Sequence, residues 1–140
     1  MPNQNLIKIT VYRDITDEKM AKLLLASDLL IAPPSNIMME ACTINIPAIT
    51  QAVAENQNQF YEFLKKHKLA MCIPEYSEIS TRSLADLLNM TILDKVYRRK
   101  MINNQKKVFD GKSKLRLRDE LEILAEKCGL KKENKQFLMV

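Results

Sequence analysis

The chain has 140 residues, hydrophobic residues make up 46% of it, and its formal net charge at pH 7 is +5. This length fits a single domain with a real core, and no apolar run reaches the roughly 18 residues that a membrane-spanning helix needs. The amino terminus lacks the basic-then-apolar pattern of a secretory signal, so we expect a cytoplasmic protein.

The cysteines give no sign of a metal site. Cys42, Cys72 and Cys128 lie far apart in the sequence and show no metal-ligand spacing. An odd number of cysteines in a cytosolic chain is typical of small buried apolar side chains. We therefore expect three buried thiols, no metal and no cofactor.

The charge is unevenly distributed along the chain. From Asp94 onward there are 14 Lys and Arg against 7 Asp and Glu, whereas the first 93 residues hold 8 against 10. The basic half is either a solvated helical face or a surface that attracts phosphates, anionic lipid or nucleic acid. Aromatic residues are too sparse there for a base-stacking platform, so we do not expect a nucleic-acid partner.

Short apolar runs alternate with helical patterns in the first half of the chain. The runs that predict strands are Leu6 to Tyr12, Asp28 to Ala32, Ala48 to Val53 and Leu69 to Ile73. Residues suited to helix N-caps stand between them, namely Thr16 or Asp17, Ser35 or Asn36, and Asn56. Strands that alternate with helices favour right-handed crossovers and a parallel sheet.

Beyond Pro74 the pattern is helical. Helices are predicted to begin at Ser80 and at Asp94, Asp110-Gly111 breaks the second, and a last helix ends near Gly129. We therefore predict one three-layer α/β domain over residues 1–130, with a parallel sheet of about four strands, extra carboxyl-terminal helices, and a loosely ordered tail over residues 131–140.

Two polar loops follow neighbouring predicted strands. Pro34-Ser35-Asn36 comes after the strand that ends at Ala32, and Glu55-Asn56-Gln57 comes after the strand that ends at Val53. In an open parallel sheet, ligands bind outside the carboxyl ends of the strands. We expect both loops to lie side by side at that edge.

The same stretch resembles a known family. Ser27-Asp28, Ser35, Glu40, Pro47 and Glu55-Asn56-Gln57 match the pattern S-A-D-x-x-I-x-x-x-G-S-x-x-x-E, then G-x-P, then an E-N-Q loop. This set resembles the carboxyl-terminal half of GT-B-type nucleotide-sugar enzymes. The likeness is greatest to the UDP-sugar hydrolase of pseudaminic acid biosynthesis, a relative of the peptidoglycan N-acetylglucosaminyltransferase. Asp110-Gly111-Lys112-Ser113 is similar to a D-G-x-G-x-x-R-like stretch of that hydrolase family.

The resemblance implies a weakly bound UDP or UDP-sugar. It implies that Glu40 holds the ribose, since a carboxylate can accept both hydroxyl protons of a cis diol. It places Ser35 and Asn36 at the diphosphate, and Asn56 and Gln57 near the sugar. Each residue also has a purely structural alternative. Glu40 suits the first turn of a helix, and the others suit helix caps or a solvated loop.

One departure from the family weakens the diphosphate site. Pro33-Pro34 stand where the family prefers glycine, and proline removes an amide donor. A plain N-cap role for Ser35 therefore remains open.

No catalytic set is apparent. His67 is the single histidine and stands among lysines, which favours a surface position. The resemblance places the family's catalytic histidine on an amino-terminal domain that this sequence does not include, so we expect no turnover by the chain alone. The alternatives are a non-catalytic interaction module and one subunit of a split glycosyltransferase. We also expect either that missing half as a partner, or a homodimer that contacts through Leu6 to Tyr12 or the adjoining helix, because the predicted sheet lacks neighbouring strands.

Overall fold

A computed structural model describes residues 8–74 and 79–129. The described part is an α/β fold with a small parallel sheet and six α-helices. The strands are β1 (Leu30–Ile31), β2 (Ala48–Thr50) and β3 (Met71–Cys72). The α-helices are α1 (Asp17–Leu25), α2 (Asn36–Thr43), α3 (Asn58–Lys66), α4 (Thr81–Leu93), α5 (Lys95–Val108) and α6 (Ser113–Lys127), and a 3-10 turn spans Glu55–Gln57.

The sheet is parallel throughout, in the order β1-β2-β3. Leu30 pairs with Ala48, and Ile49 pairs with Met71. The parallel arrangement confirms the prediction, whereas the expected number of about four strands is wrong for the described residues, which form three.

The missing strand is the first one. Residues 6 and 7 of the predicted run Leu6 to Tyr12 lie outside the described residues, and residues 8–12 form no strand. Ile9 is 81% exposed and Val11 is 72% exposed. Ile9 and Val11 therefore do not contribute to the core, and among residues 8–74 and 79–129 β1 has a neighbouring strand on one side only. The predicted tail, residues 131–140, also lies outside the described part of the chain.

Alternate side chains of the strands separate two cores. Met38 and Cys42 of α2 and Leu64 of α3 pack with Ala48 and Leu69 on one face of the sheet. On the other face, Ile49, Met71, Ile73 and Met101 pack with partly buried side chains of α4 and α5, among them Leu84, Leu87, Leu88 and Tyr97. A third cluster joins α1 to α2 through Leu24, Ala41 and Ile46. Helices thus pack against both faces of the sheet.

Local capping chemistry explains where several helices begin. Thr16 Oγ1 accepts a hydrogen bond from the Lys19 amide at 3.3 Å, and Ser80 Oγ accepts one from the Ser83 amide at 3.1 Å. Asp94 Oδ1 accepts two, from the amides at the start of α5. These three helix starts confirm the sequence prediction.

Two helices end in the same way before entering a strand. At the end of α2 the Ile46 amide donates to Ala41 O at 2.9 Å, and at the end of α3 the Leu69 amide donates to Leu64 O at 2.9 Å. These are the long bonds of Schellman motifs. The residues that turn the chain are Asn45 and Lys68, with φ of 63° and 54°. Glycine is the residue usually found there, and its scarcity leaves asparagine and lysine in the left-handed conformation.

Helix α6 contacts the rest of the molecule only lightly. Ala125 is buried and Leu121 is half-buried. Leu117 and Leu124 are both more than half exposed. The left-handed Gly129, with φ of 72°, ends the helix as predicted.

Candidate functional site

The amino terminus of α2 lies at the carboxyl end of β1. Ala32 donates its amide to Ile49 O at 3.1 Å, and the Pro33-Pro34 turn then leads directly into the helix. Ser35 takes the N-cap position, as predicted, but its hydroxyl donates to Pro33 O at 3.2 Å and does not cap the helix. The Met38 amide in this turn donates to Ser35 O at 3.0 Å, so the amides of Asn36 and Ile37 are the ones left available to an anion.

Asn36 and Glu40 lie one turn apart on the same side of α2. Both line a groove of about 520 Å³ between α1 and α2, called here the α1–α2 groove, together with Leu24, Leu25 and Met39. Both side chains are exposed, and neither forms a hydrogen bond or ion pair with another described residue. The groove thus combines an apolar wall with two free polar groups.

The sequence predicts Glu40 in the first turn of its helix, and this prediction is wrong. Helix α2 begins at Asn36, which places Glu40 in the second turn and leaves no acidic residue in the first. The macrodipole therefore gives a weaker reason for a carboxylate at this position, because its effect falls off beyond the first turn.

The second predicted loop has a different structure from the one expected. Asn56 was predicted to cap a helix, but it lies inside the 3-10 turn Glu55–Gln57, and Gln57 is the N-cap residue of α3. Gln57 Oε1 accepts the Val53 amide at 2.9 Å, so this side chain is engaged in its own loop. Asn56 is exposed. Neither residue lines the α1–α2 groove.

The five predicted site residues therefore fall into two groups. Ser35, Asn36 and Glu40 are brought together at the start of α2, whereas Asn56 and Gln57 belong to the loop after β2. Both groups follow neighbouring parallel strands, which places them at the same edge of the sheet.

A second groove lies where β2 and β3 end. It encloses about 460 Å³ and is lined by side chains of the strand ends and the first turns of α3, among them Gln51, Asn58, Tyr61 and Glu62. Gln51 Nε2 donates to Pro74 O at 2.8 Å, and Tyr61 OH donates to Ile73 O at 2.9 Å. These two bonds fix the end of β3. Sequence reasoning missed this groove, although Gln51 directly follows a predicted strand at the edge where ligands bind.

The Asp110-Gly111 turn forms a charged link between α5 and α6. Arg116 Nη1 lies 2.7 Å from Asp110 Oδ2, and the Lys112 amide donates to Asp110 Oδ1 at 3.0 Å. The hydrogen bond from Arg116, and then that from Lys112, lower the pKa of Asp110 to about 2. Gly111 has φ of 71°, which favours glycine. This turn has a structural role of its own in joining the two helices.

The cysteines differ in their surroundings. Cys42 is buried, Cys72 is half-buried and Cys128 is exposed, so the prediction of three buried thiols is wrong for Cys128. Burial raises the pKa of Cys42 to about 12, with a smaller opposing effect from the nearby amide of Gln105, and burial raises the pKa of Cys72 to about 11. Both thiols are therefore poor nucleophiles in the folded protein.

His67 is exposed at the end of α3, as predicted, and its ring lies 4.6 Å from that of Phe63. Within residues 8–74 and 79–129, no group of three or more His, Cys, Asp and Glu side chains is placed to hold a metal ion. Among the helices of these same residues, none is long and apolar enough to cross a membrane.

Comparison of the chain with protein-family models, with curated proteins and with solved structures finds no match.

Proposed function

We propose that this chain is the nucleotide-sugar-binding part of a GT-B-type enzyme, with UDP or a UDP-sugar as its ligand. The proposal rests on the position of Asn36 and Glu40, which both line the α1–α2 groove. The groove lies beside the amino terminus of α2, where the side chain of the N-cap residue Ser35 forms no capping hydrogen bond. The resemblance of the surrounding sequence to UDP-sugar enzymes supports the same ligand.

Each part of the ligand has a chemical counterpart. The uncapped amides of α2 suit the diphosphate, because a helix amino terminus favours anions. The Glu40 carboxylate suits the two ribose hydroxyls, since an ionised carboxylate only accepts hydrogen bonds. Asn56 in the neighbouring loop can both donate to and accept from a sugar hydroxyl. A hydrolase or glycosyltransferase reaction would need catalytic groups from outside these 140 residues.

Binding should be weak and should depend on Glu40. The α1–α2 groove is open and its polar groups are few, so we expect a Kd near 1 mM, which corresponds to about −4 kcal/mol. UDP added to the 15N-labelled protein should shift the amide signals of Ser35, Asn36 and Ile37 in a saturable way. Glu40→Gln should weaken binding about tenfold, because it removes a charged acceptor.

The control for this titration is Asp86→Asn. Asp86 is an exposed carboxylate on α4, on the far face of the sheet. Asp86→Asn changes the net charge by the same amount as Glu40→Gln, but it should leave UDP binding within about twofold of the wild type. The proposal is wrong if UDP produces no shifts at α2, or if Glu40→Gln and Asp86→Asn weaken binding equally.

A second candidate is an interaction module, and the exposed edge of β1 favours it. Ile31 is 65% exposed on a strand whose only pairing partner in the described ranges is β2, and such an edge offers unpaired backbone groups to another chain. The predicted homodimer contact at Leu6 to Tyr12 loses its basis because residues 8–12 form no strand, so the contact that we propose is the edge of β1.

Sedimentation equilibrium tests this second candidate. A homodimer through β1 should dissociate in Ile31→Lys and persist in Ile9→Lys, since Ile9 lies outside every helix and strand. A clean wild-type monomer at tens of micromolar would overturn the homodimer. One subunit of a split glycosyltransferase would behave as such a monomer and still bind UDP.

A further inference from the structure

A third cleft lies at the edge of the sheet opposite β1. It encloses about 440 Å³ along the outer side of β3, where Ala70 and Cys72 form its floor. Its walls are the end of α3 and the middle of α5, which contributes Tyr97 and Asn104. This volume falls within the range of about 300–1,000 Å³ that is usual for small-molecule sites.

The cleft is positively charged. Lys65, Lys68 and Lys100 line it, and no carboxylate in the described part of the chain does, so we call it the basic cleft. Lys65 Nζ lies 3.9 Å from Glu62 Oε1, which partly neutralises it. Lys68 and Lys100 form no ion pair with any residue in the described ranges. At least two cations therefore face the cleft without a counter-charge.

The turn that carries Lys68 is held in place. Its backbone is left-handed, and its carbonyl accepts a hydrogen bond from Asn104 Nδ2 at 3.3 Å. The Tyr97 hydroxyl contacts Met71 Sδ at 3.9 Å, which orients the ring against β3. The walls of the basic cleft are thus fixed to each other across the edge of the sheet.

We propose that the basic cleft binds a small phosphorylated molecule. Its phosphate lies between Lys68 and Lys100, because lysines bind phosphate as point charges. Its apolar body lies against Ala70, Cys72 and Tyr97. This site is separate from the proposed UDP site, which lies at the start of α2.

The same lysines have one simpler explanation. Charged side chains, lysine above all, protect an exposed edge strand from pairing with other chains. That explanation requires no saturable ligand binding, and it gives no special importance to Lys100 over other lysines of α5. The two explanations therefore predict different results for a phosphate probe.

The probe is phenyl phosphate, compared with inorganic phosphate by 15N amide shifts at an ionic strength of about 0.15 M, where charges beyond about 8 Å are screened. We expect saturable shifts at Lys68, Cys72 and Lys100, and tighter binding of phenyl phosphate than of inorganic phosphate. Lys100→Gln should weaken binding about fivefold. Lys107→Gln, an exposed lysine on the last turn of the same helix, should change it less than twofold.

A gain of affinity gives an independent test. Glu62→Gln should strengthen phenyl phosphate binding about twofold, because Lys65 loses the carboxylate that now competes for it. Glu40→Gln should have no effect, which separates this site from the proposed UDP site. Equal weakening by Lys100→Gln and Lys107→Gln, or shifts that do not saturate, would overturn the proposal in favour of simple edge protection.

Discussion

Replacing Gln105 should destabilise the fold more than any other single polar change on α5. This side chain is fully buried, and its Nε2 donates to Ile46 O at 3.0 Å and to Leu69 O at 2.8 Å. Both carbonyls belong to the residues that close the Schellman motifs and lead into β2 and β3. One amide therefore joins α5 to the start of two strands.

The expected cost follows from those two bonds. Gln105→Leu puts an apolar side chain of similar size in place of the amide and leaves two buried carbonyls without a donor, at about 1–3 kcal/mol each. A combined loss of about 2–6 kcal/mol is a large part of the roughly 5–15 kcal/mol by which a domain of this size is stable. With a urea m-value of about 1–3 kcal/mol/M, the unfolding midpoint should fall by at least about 0.7 M.

The assay is urea unfolding followed by circular dichroism, with Asn104→Ala as the control. Asn104 also donates an amide to a loop carbonyl, that of Lys68, but at the surface, and its loss should cost less than about 1 kcal/mol. A Gln105→Leu midpoint equal to that of the wild type would show that the two carbonyls do not need this donor, and the reasoning would fail.

Gln105→Glu gives a second test should Gln105→Leu not fold. Burial raises the pKa of a carboxyl group above its unfolded value of about 4.3, so the neutral acid, which can still donate one hydrogen bond, is the form that the fold tolerates. Stability should therefore be greatest at low pH and fall as the pH rises from about 4. A flat pH profile relative to the wild type would contradict the burial of this site.

Two further predictions concern the link between α5 and α6 and the thiols. NMR titration should give Asp110 a pKa of about 2, so its stabilising contribution is complete above about pH 4 and is lost as the pH falls through 2. Arg116→Gln should bring that pKa back towards about 4. An Asp110 pKa that is the same in the variant and the wild type would contradict this ion pair. Iodoacetamide at pH 8 should modify Cys128 in the folded protein, and Cys42 and Cys72 only after unfolding, because burial raises the pKa of these two thiols to about 12 and about 11. Equal rates for Cys128 and Cys42 would contradict that burial.

The sequence predicted those features that depend on neighbours in the chain. The caps at Thr16, Ser80 and Asp94 form as expected, because each is a bond between a side chain and an amide two or three residues away. The parallel sheet followed from the alternation of strands and helices. The predicted strand over Leu6 to Tyr12 does not form in residues 8–12, because an alternating apolar pattern does not indicate whether a neighbouring strand is available for pairing.

The part of the candidate site that depends on residues close together in the chain was predictable. Asn36 and Glu40 share one side of a helix by their spacing alone, and they line one groove. Gln57 could not be foreseen as a loop-internal acceptor, because that depends on the 3-10 turn. The basic cleft was beyond prediction, since Lys68 and Lys100 are 32 positions apart in the sequence and meet only through the packing of α5.

The sequential strand order has a consequence for how the chain folds. Each strand pairs with the one just before it in the chain, as Leu30 does with Ala48 and Ile49 with Met71, so the sheet can assemble from local contacts as the chain is synthesised. The Gln105 bonds span 59 and 36 residues and can form only after α5 has emerged from the ribosome. A nascent chain that has emerged only as far as Pro74 would hold a paired sheet whose second face, with Ile49 and Met71, is not yet covered by α4 and α5, and such exposed apolar surface is prone to aggregation.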